Sequence, residues 1–145
     1  MRLDVRAFAR ESATLHGVVA LADMPRLAAE QSATPEGPGT EVSWTLIGQT
    51  KDLRGGAHQT WLHVQAQAQL GMVCQRCLNG MTQPLTVDRA FRFVSTEQAA
   101  DAEDDQSEED LLVASTAFDA MTLIEDELIL ALPLVPRHDD CQPPA

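Results

Sequence analysis

The stretch TWLHVQAQAQL, residues 60–70, constrains the fold more than any other part of the chain. Leu62, Val64, Ala66, Ala68 and Leu70 take every second position, and Trp61, His63, Gln65, Gln67 and Gln69 take the positions between. Successive side chains of a strand point to opposite faces, so this period of two predicts a strand with one face in the core and one toward solvent. EVSWTL repeats the pattern, with Val42, Trp44 and Leu46 set against Ser43 and Thr45. So does PLTVDRAFRFV, where Leu85, Val87, Phe91 and Phe93 share a face. Arg89 falls among those apolar positions and marks either a strand end or a buried pair. TLHGVVALA reads as a further strand with a glycine interruption, and DLLVAS as a strand or a docking segment. Gly55–Gly56 and Asn79–Gly80 supply turns between strands.

Helical signals stand at the two ends. LDVRAFARES is a short helix, and DMPRLAAEQ another, with Asp23 as N-cap and Pro25 in its first turn. SATPEGPGT, residues 32–40, carries two prolines and two glycines and is a loop. Over 119–132 a longer helix is expected, capped by Asp119 and ended by Pro133. Its Met121, Ile124, Leu128 and Ala131 follow helical spacing, and Leu123, Ile129 and Leu130 add apolar surface on other sides. Ile124 and Leu128 are expected against the sheet. The architecture is therefore α+β: an antiparallel sheet of about five to six strands, short N-terminal helices and one C-terminal amphipathic helix packed on it. At 145 residues the chain suits a single domain, 1–145.

Charge is distributed unevenly. Of the net −12, residues 1–92 contribute +1 and residues 93–145 contribute −13. Eight acids fall within 97–110, which is expected to be a mobile acidic loop, either a solvated segment or a surface for a basic partner. General, non-specific nucleic-acid binding is disfavoured by this acidity, but a local patch of Arg76, Arg89 and Arg92 is a candidate RNA contact. The N-terminus has no apolar core of a signal peptide, and the longest apolar run, LILALPLV, falls short of the ~20 residues of a membrane helix. A cytoplasmic protein without a membrane partner is the expectation.

Three cysteines are the remaining chemistry. Cys74 and Cys77 form a C-x-x-C beside a turn, and His138 and Cys141 form an H-x-x-C near the C-terminus. Four such ligands make a closed tetrahedral zinc site, structural because no position is left for substrate. The alternatives are small buried thiols without metal and a redox pair activated at a helix start. The strand pattern around Gly80 speaks against that helix. No G-x-S-x-G, phosphate loop or dinucleotide fingerprint occurs, and His16, His58, His63 and His138 are scattered. The reading is a non-enzymatic protein, with no small-molecule substrate and at most one structural zinc as cofactor.

GMVCQRCLNGMTQPL and FDAMTLIEDELILALPLVPRHDDC, in this order with an acidic stretch between, resemble the YceD family of large ribosomal RNA subunit accumulation proteins over at least residues 70–141. The resemblance implies a bacterial cytoplasmic factor that supports synthesis, processing or stability of large-subunit (23S) ribosomal RNA, with RNA or basic ribosomal proteins as partners and no known catalytic residues. Family members usually continue past the last cysteine to an NPF-like segment, whereas this sequence ends in CQPPA. A thiol-dependent oxidoreductase using Cys74 and Cys77, and an acidic protein-binding adaptor, stand as the alternatives.

Overall fold

The computed structural model describes residues 2–31, 41–52, 58–94 and 110–133. Along the chain these form β1 (Arg2–Leu3), α1 (Val5–Arg10), β2 (Thr14–Ala20), a 3-10 turn (Leu21–Asp23), α2 (Pro25–Ala28), β3 (Glu41–Asp52), β4 (His58–Val73), β5 (Gly80–Val94), β6 (Asp110–Val113), β7 (Phe118–Asp119) and α3 (Ala120–Leu130). The expected loop at 32–40, the Gly55–Gly56 turn and residues 97–109 of the acidic loop lie outside the described residues.

The α+β class holds. A five-stranded sheet has the order β2-β3-β4-β5-β6, and β1 pairs separately with β7. Five residues join β3 to β4 and six join β4 to β5. Connections that short allow only antiparallel neighbours. The last pairing departs from the all-antiparallel expectation: β6 runs parallel to β5, with Phe91 opposite Asp110 and Val94 opposite Val113. A parallel return needs a crossover of roughly a dozen residues or more. The fifteen residues between Val94 and Asp110 supply it. The sheet is therefore mixed.

The chain divides into two compact units, each built from three stretches, and β2, β3, β4, β5 and α3 pass from one to the other. In the first unit (Met1–His16, Thr45–Gln65, Asp88–Leu123) α1 starts where Asp4 Oδ1 accepts from Ala7 N–H at 3.2 Å. Val5, Phe8 and Ala9 are its buried residues. Phe8 lies so close to β3 that a Cβ on Gly48 would meet Phe8 Cδ2 and the Phe8 carbonyl oxygen at 2.6 Å each. Only glycine permits that approach. Phe93 and Phe118 meet edge to face with ring centres 5.0 Å apart. Asp119 caps α3 as expected: its Oδ1 accepts from Thr122 N–H at 3.2 Å and its Oδ2 from the Thr122 hydroxyl at 2.7 Å.

In the second unit (Gly17–Trp44, Ala66–Val87, Ile124–Ala145) the core includes Leu27, Val42, Leu70, Leu85, Ile124 and Leu128. A Cβ on Gly17 would lie 2.8 Å from the Trp44 ring, so the glycine interruption of β2 makes room for that indole. The start of α2 differs from expectation. Met24, not Asp23, is its N-cap and offers no side-chain bond; Asp23 belongs to the preceding 3-10 turn. The acceptor comes instead from α3. Glu125 Oε2 accepts from Arg26 N–H at 3.0 Å and from Leu27 N–H at 3.1 Å, and Oε1 accepts from the Arg26 guanidinium. Glu125 is buried by these bonds although it carries a charge.

Candidate functional site

Cys74 follows β4 directly, and Gly80 begins β5. Between them the chain makes one helical turn: Leu78 N–H donates to the Cys74 carbonyl at 2.8 Å, and Cys74 N–H donates to the Asn79 carbonyl at 2.9 Å. Residues three apart on such a turn share a side, which places Cys74 and Cys77 on one side of it. Cys74 is buried and Cys77 half-buried. Leu78 ends the turn with φ 64°, in the left-handed region, and is 62% exposed. The turn expected at Asn79–Gly80 thus has its left-handed residue one position earlier, at Leu78. The pair is followed by β5 and not by a helix, as the strand pattern around Gly80 led one to expect. His138 and Cys141 lie outside the described residues. Among the described residues no three His, Cys, Asp or Glu side chains gather as a metal group.

Of the three arginines, Arg89 and Arg92 both stand in β5, in opposite rows by strand parity. Arg89 belongs to the apolar row of β5 and is half-buried, its guanidinium carbon 5.2 Å from the Phe91 ring centre. It therefore stands within the strand and not at its end. Arg92, three positions on, falls in the opposite row, because alternate residues of a strand face opposite ways. Arg76 sits exposed in the cysteine turn and belongs to the second unit, whereas Arg89 and Arg92 belong to the first.

The outer row of the sheet carries features that polarity alone did not single out. In β4 the even positions from Leu62 to Met72 are buried, and Gln65, Gln67 and Gln69 are exposed between them. Within the first unit, Trp61 Nε1 donates to Gln59 Oε1 at 3.1 Å, and Lys51 Nζ stands 3.8 Å from the Trp61 ring centre. His63 Nε2 is hydrogen-bonded to Asp88 across the strands. Within the second unit a shallow groove of about 370 Å3 is lined by Glu41, Ser43, Gln67, Gln69, Pro84 and Thr86. Hydroxyls, amides and one carboxylate suit hydrogen bonding; no histidine or cysteine is there to act as a base or nucleophile.

These features define an α+β protein whose sheet has polar outer rows and whose cysteine turn lies at one hairpin. Among the described residues no helix is long and apolar enough to cross a membrane. The chain belongs to the YceD family: the family model described as large ribosomal RNA subunit accumulation protein YceD matches residues 62–145. That match covers most of β4, all of β5 and β6, and α3. No solved structure matches the chain significantly. The family's description gives the protein a role in ribosome biogenesis, as an accumulation factor for large-subunit RNA.

Proposed function

We propose that the protein acts in the cytoplasm by binding and not by turnover, supporting the synthesis, processing or stability of large-subunit (23S) ribosomal RNA. The observation that carries this reading is the family match over residues 62–145. The polar outer row of the sheet and the Arg76 and Arg92 positions offer contacts to RNA. The eight acids of 97–110 offer a contact to basic ribosomal proteins. The test is binding to large-subunit RNA, and separately to large-subunit proteins, across a salt series. Replacing Arg76, Arg89 and Arg92 should weaken RNA binding and flatten its salt dependence by ~0.7 to 0.9 of log–log slope for each phosphate no longer neutralised. Neutralising the acids should weaken only the protein contacts. Unchanged affinities in both series would remove this partner assignment.

The cysteine turn supports a second, structural element of the proposal: a zinc held by Cys74, Cys77, His138 and Cys141. Two thiols on one side of a turn fit half of a tetrahedral thiolate site, and zinc would supply a staple there and no chemistry. Elemental analysis of the purified protein should find one zinc per chain, and Cys74→Ser should abolish it. Protein that is fully folded and zinc-free after purification without chelator would refute the site.

A further inference from the structure

The chain has two tryptophans, no tyrosine and a single lysine. That lysine is Lys51, and its ammonium stands over the ring of Trp61. Of the six aromatic residues, Phe8, Phe91 and Phe93 are buried, Phe118 packs on Phe93, and Trp44 covers Gly17. Trp61 alone belongs to the outer row of β4, opposite in parity to Leu62 and Val64, and is half-buried there. Its indole N–H is already satisfied by Gln59, which fixes the plane of the ring. The flat apolar body of the ring is thus held among polar neighbours, on the side of the strand that does not build the core.

We propose that Trp61 and Lys51 form a stacking site for an unpaired nucleotide of RNA, the base taking the place on the indole that the Lys51 ammonium now holds and the ammonium moving off the ring to meet the phosphate. Bases stack on aromatic side chains irrespective of sequence, and a nearby cation supplies the backbone contact. A duplex would not present a free base face to the ring. The charge on this part of the sheet agrees. Among the described residues of the first unit, Lys51 and Arg92 lie in the outer rows with Asp88, which is engaged by His63, and Asp52 beside Lys51 is engaged by His58, although the chain as a whole has a net charge of −12. A protein partner fits less well, since interface cores gather several apolar anchors, whereas the residues that share this row of β4 with Trp61 include Gln59, His63 and Gln65. The proposal rests on the ribosomal-RNA reading above, and so on the family match for its ligand class, while Lys51 and Trp61 themselves both precede the matched residues.

The test is a titration of the whole protein with a short single-stranded oligoribonucleotide of mixed sequence, read by fluorescence anisotropy, with the corresponding duplex as comparison. Trp61→Ala should weaken single-strand binding by about 5- to 150-fold, the range of a lost base stack, while Trp61→Phe keeps most of it. Lys51→Gln should weaken binding and lower the salt slope by about 0.7. Circular dichroism checks that each variant is folded. Should Trp61→Ala fail to fold, photocrosslinking of the unaltered protein to a 5-bromouridine oligonucleotide still decides the matter, with the adduct expected on the peptide holding Trp61. Crosslinks confined to other peptides, equal affinity of folded Trp61→Ala, preference for the duplex, or loss of a ribosomal protein partner in place of RNA would each overturn the stacking site. In cells lacking the chromosomal copy, large-subunit RNA levels restored fully by Trp61→Ala would refute this surface and leave the ribosomal role standing. Failure of the unaltered protein to restore them would count against the ribosomal role itself.

Discussion

Removing the Glu125 carboxylate should destabilise the protein far more than removing its arginine partner. Glu125 accepts from four N–H groups, and two of them belong to the backbone, at Arg26 and Leu27. Those two donors remain in place in Arg26→Ala. They lose their acceptor in Glu125→Ala, and the Leu27 N–H is buried. An unsatisfied buried donor costs about 1–3 kcal/mol. The Arg26 side chain, by contrast, is half-exposed, so its bonds to Glu125 and to Asp126 are screened by solvent. Urea unfolding measures the difference. With a slope of about 1–3 kcal/mol per molar for a small protein, Glu125→Ala should lower the midpoint by roughly 1 M without changing the slope. That loss should persist in high salt, because a neutral donor is at stake. Glu125→Gln, which keeps one carbonyl oxygen, should fall between. An Arg26→Ala variant as costly as Glu125→Ala, with both losses shrinking in salt, would show that the ion pair and not the backbone cap carries the energy.

Gly48→Ala should cost about 1–3 kcal/mol by overpacking, because the new methyl meets the Phe8 backbone; Gly17→Ala should cost less, because the half-buried Trp44 ring can turn away. Equal thermal shifts for the two would contradict this ranking. Leu128→Ala, at a fully buried position, should cost about 2–5 kcal/mol in chemical denaturation, and a change well under one would mean the site is not core. Asp119→Ala should cost about 1 kcal/mol through the lost cap. The Asp119 carboxyl is held below its ordinary range chiefly by the Thr122 hydroxyl, so its stabilisation is complete above the unfolded pKa and disappears as pH falls through the lower folded one. The gap between the two proteins should be constant at neutral pH and close in strong acid; a gap that widened in acid would reverse the assigned sign.

What the sequence made legible was what repeats locally. The alternation in β4 placed Leu62 through Leu70 correctly in the core, and the row of Leu85, Val87, Phe91 and Phe93 in β5 followed the same rule. Asp119, a residue before the apolar run, announced the start of α3. The features that were missed depend on partners distant in sequence. The parallel placement of β6 is decided by a crossover whose length is visible but whose direction is not. The cap of α2 is supplied by Glu125 from 98 to 99 residues away, so the nearby Asp23 was the natural but wrong candidate. Glu125 and Glu127 are both buried in α3, although their side chains are carboxylic acids. Of the candidate sites, the one-turn C-x-x-C was legible from its spacing, while the division of Arg89 and Arg92 between opposite rows was implicit in their separation of three.

The same parity explains why the outer row is the place to look for function. In β4 the even positions are committed to the core: Leu62, Val64 and Leu70 are almost wholly buried, and shortening them would leave cavities. The odd positions carry no such obligation, and Gln65, Gln67 and Gln69 are the exposed amides such a row can hold at little energetic consequence. A tryptophan in that row exposes apolar surface that folding does not require. Gln59 and Lys51 then orient it without burying it. Folding thus accounts for the even row of β4 and leaves Trp61 without a role in the core, while the stacking site accounts for the ring, its amide partner and the position of the only lysine together.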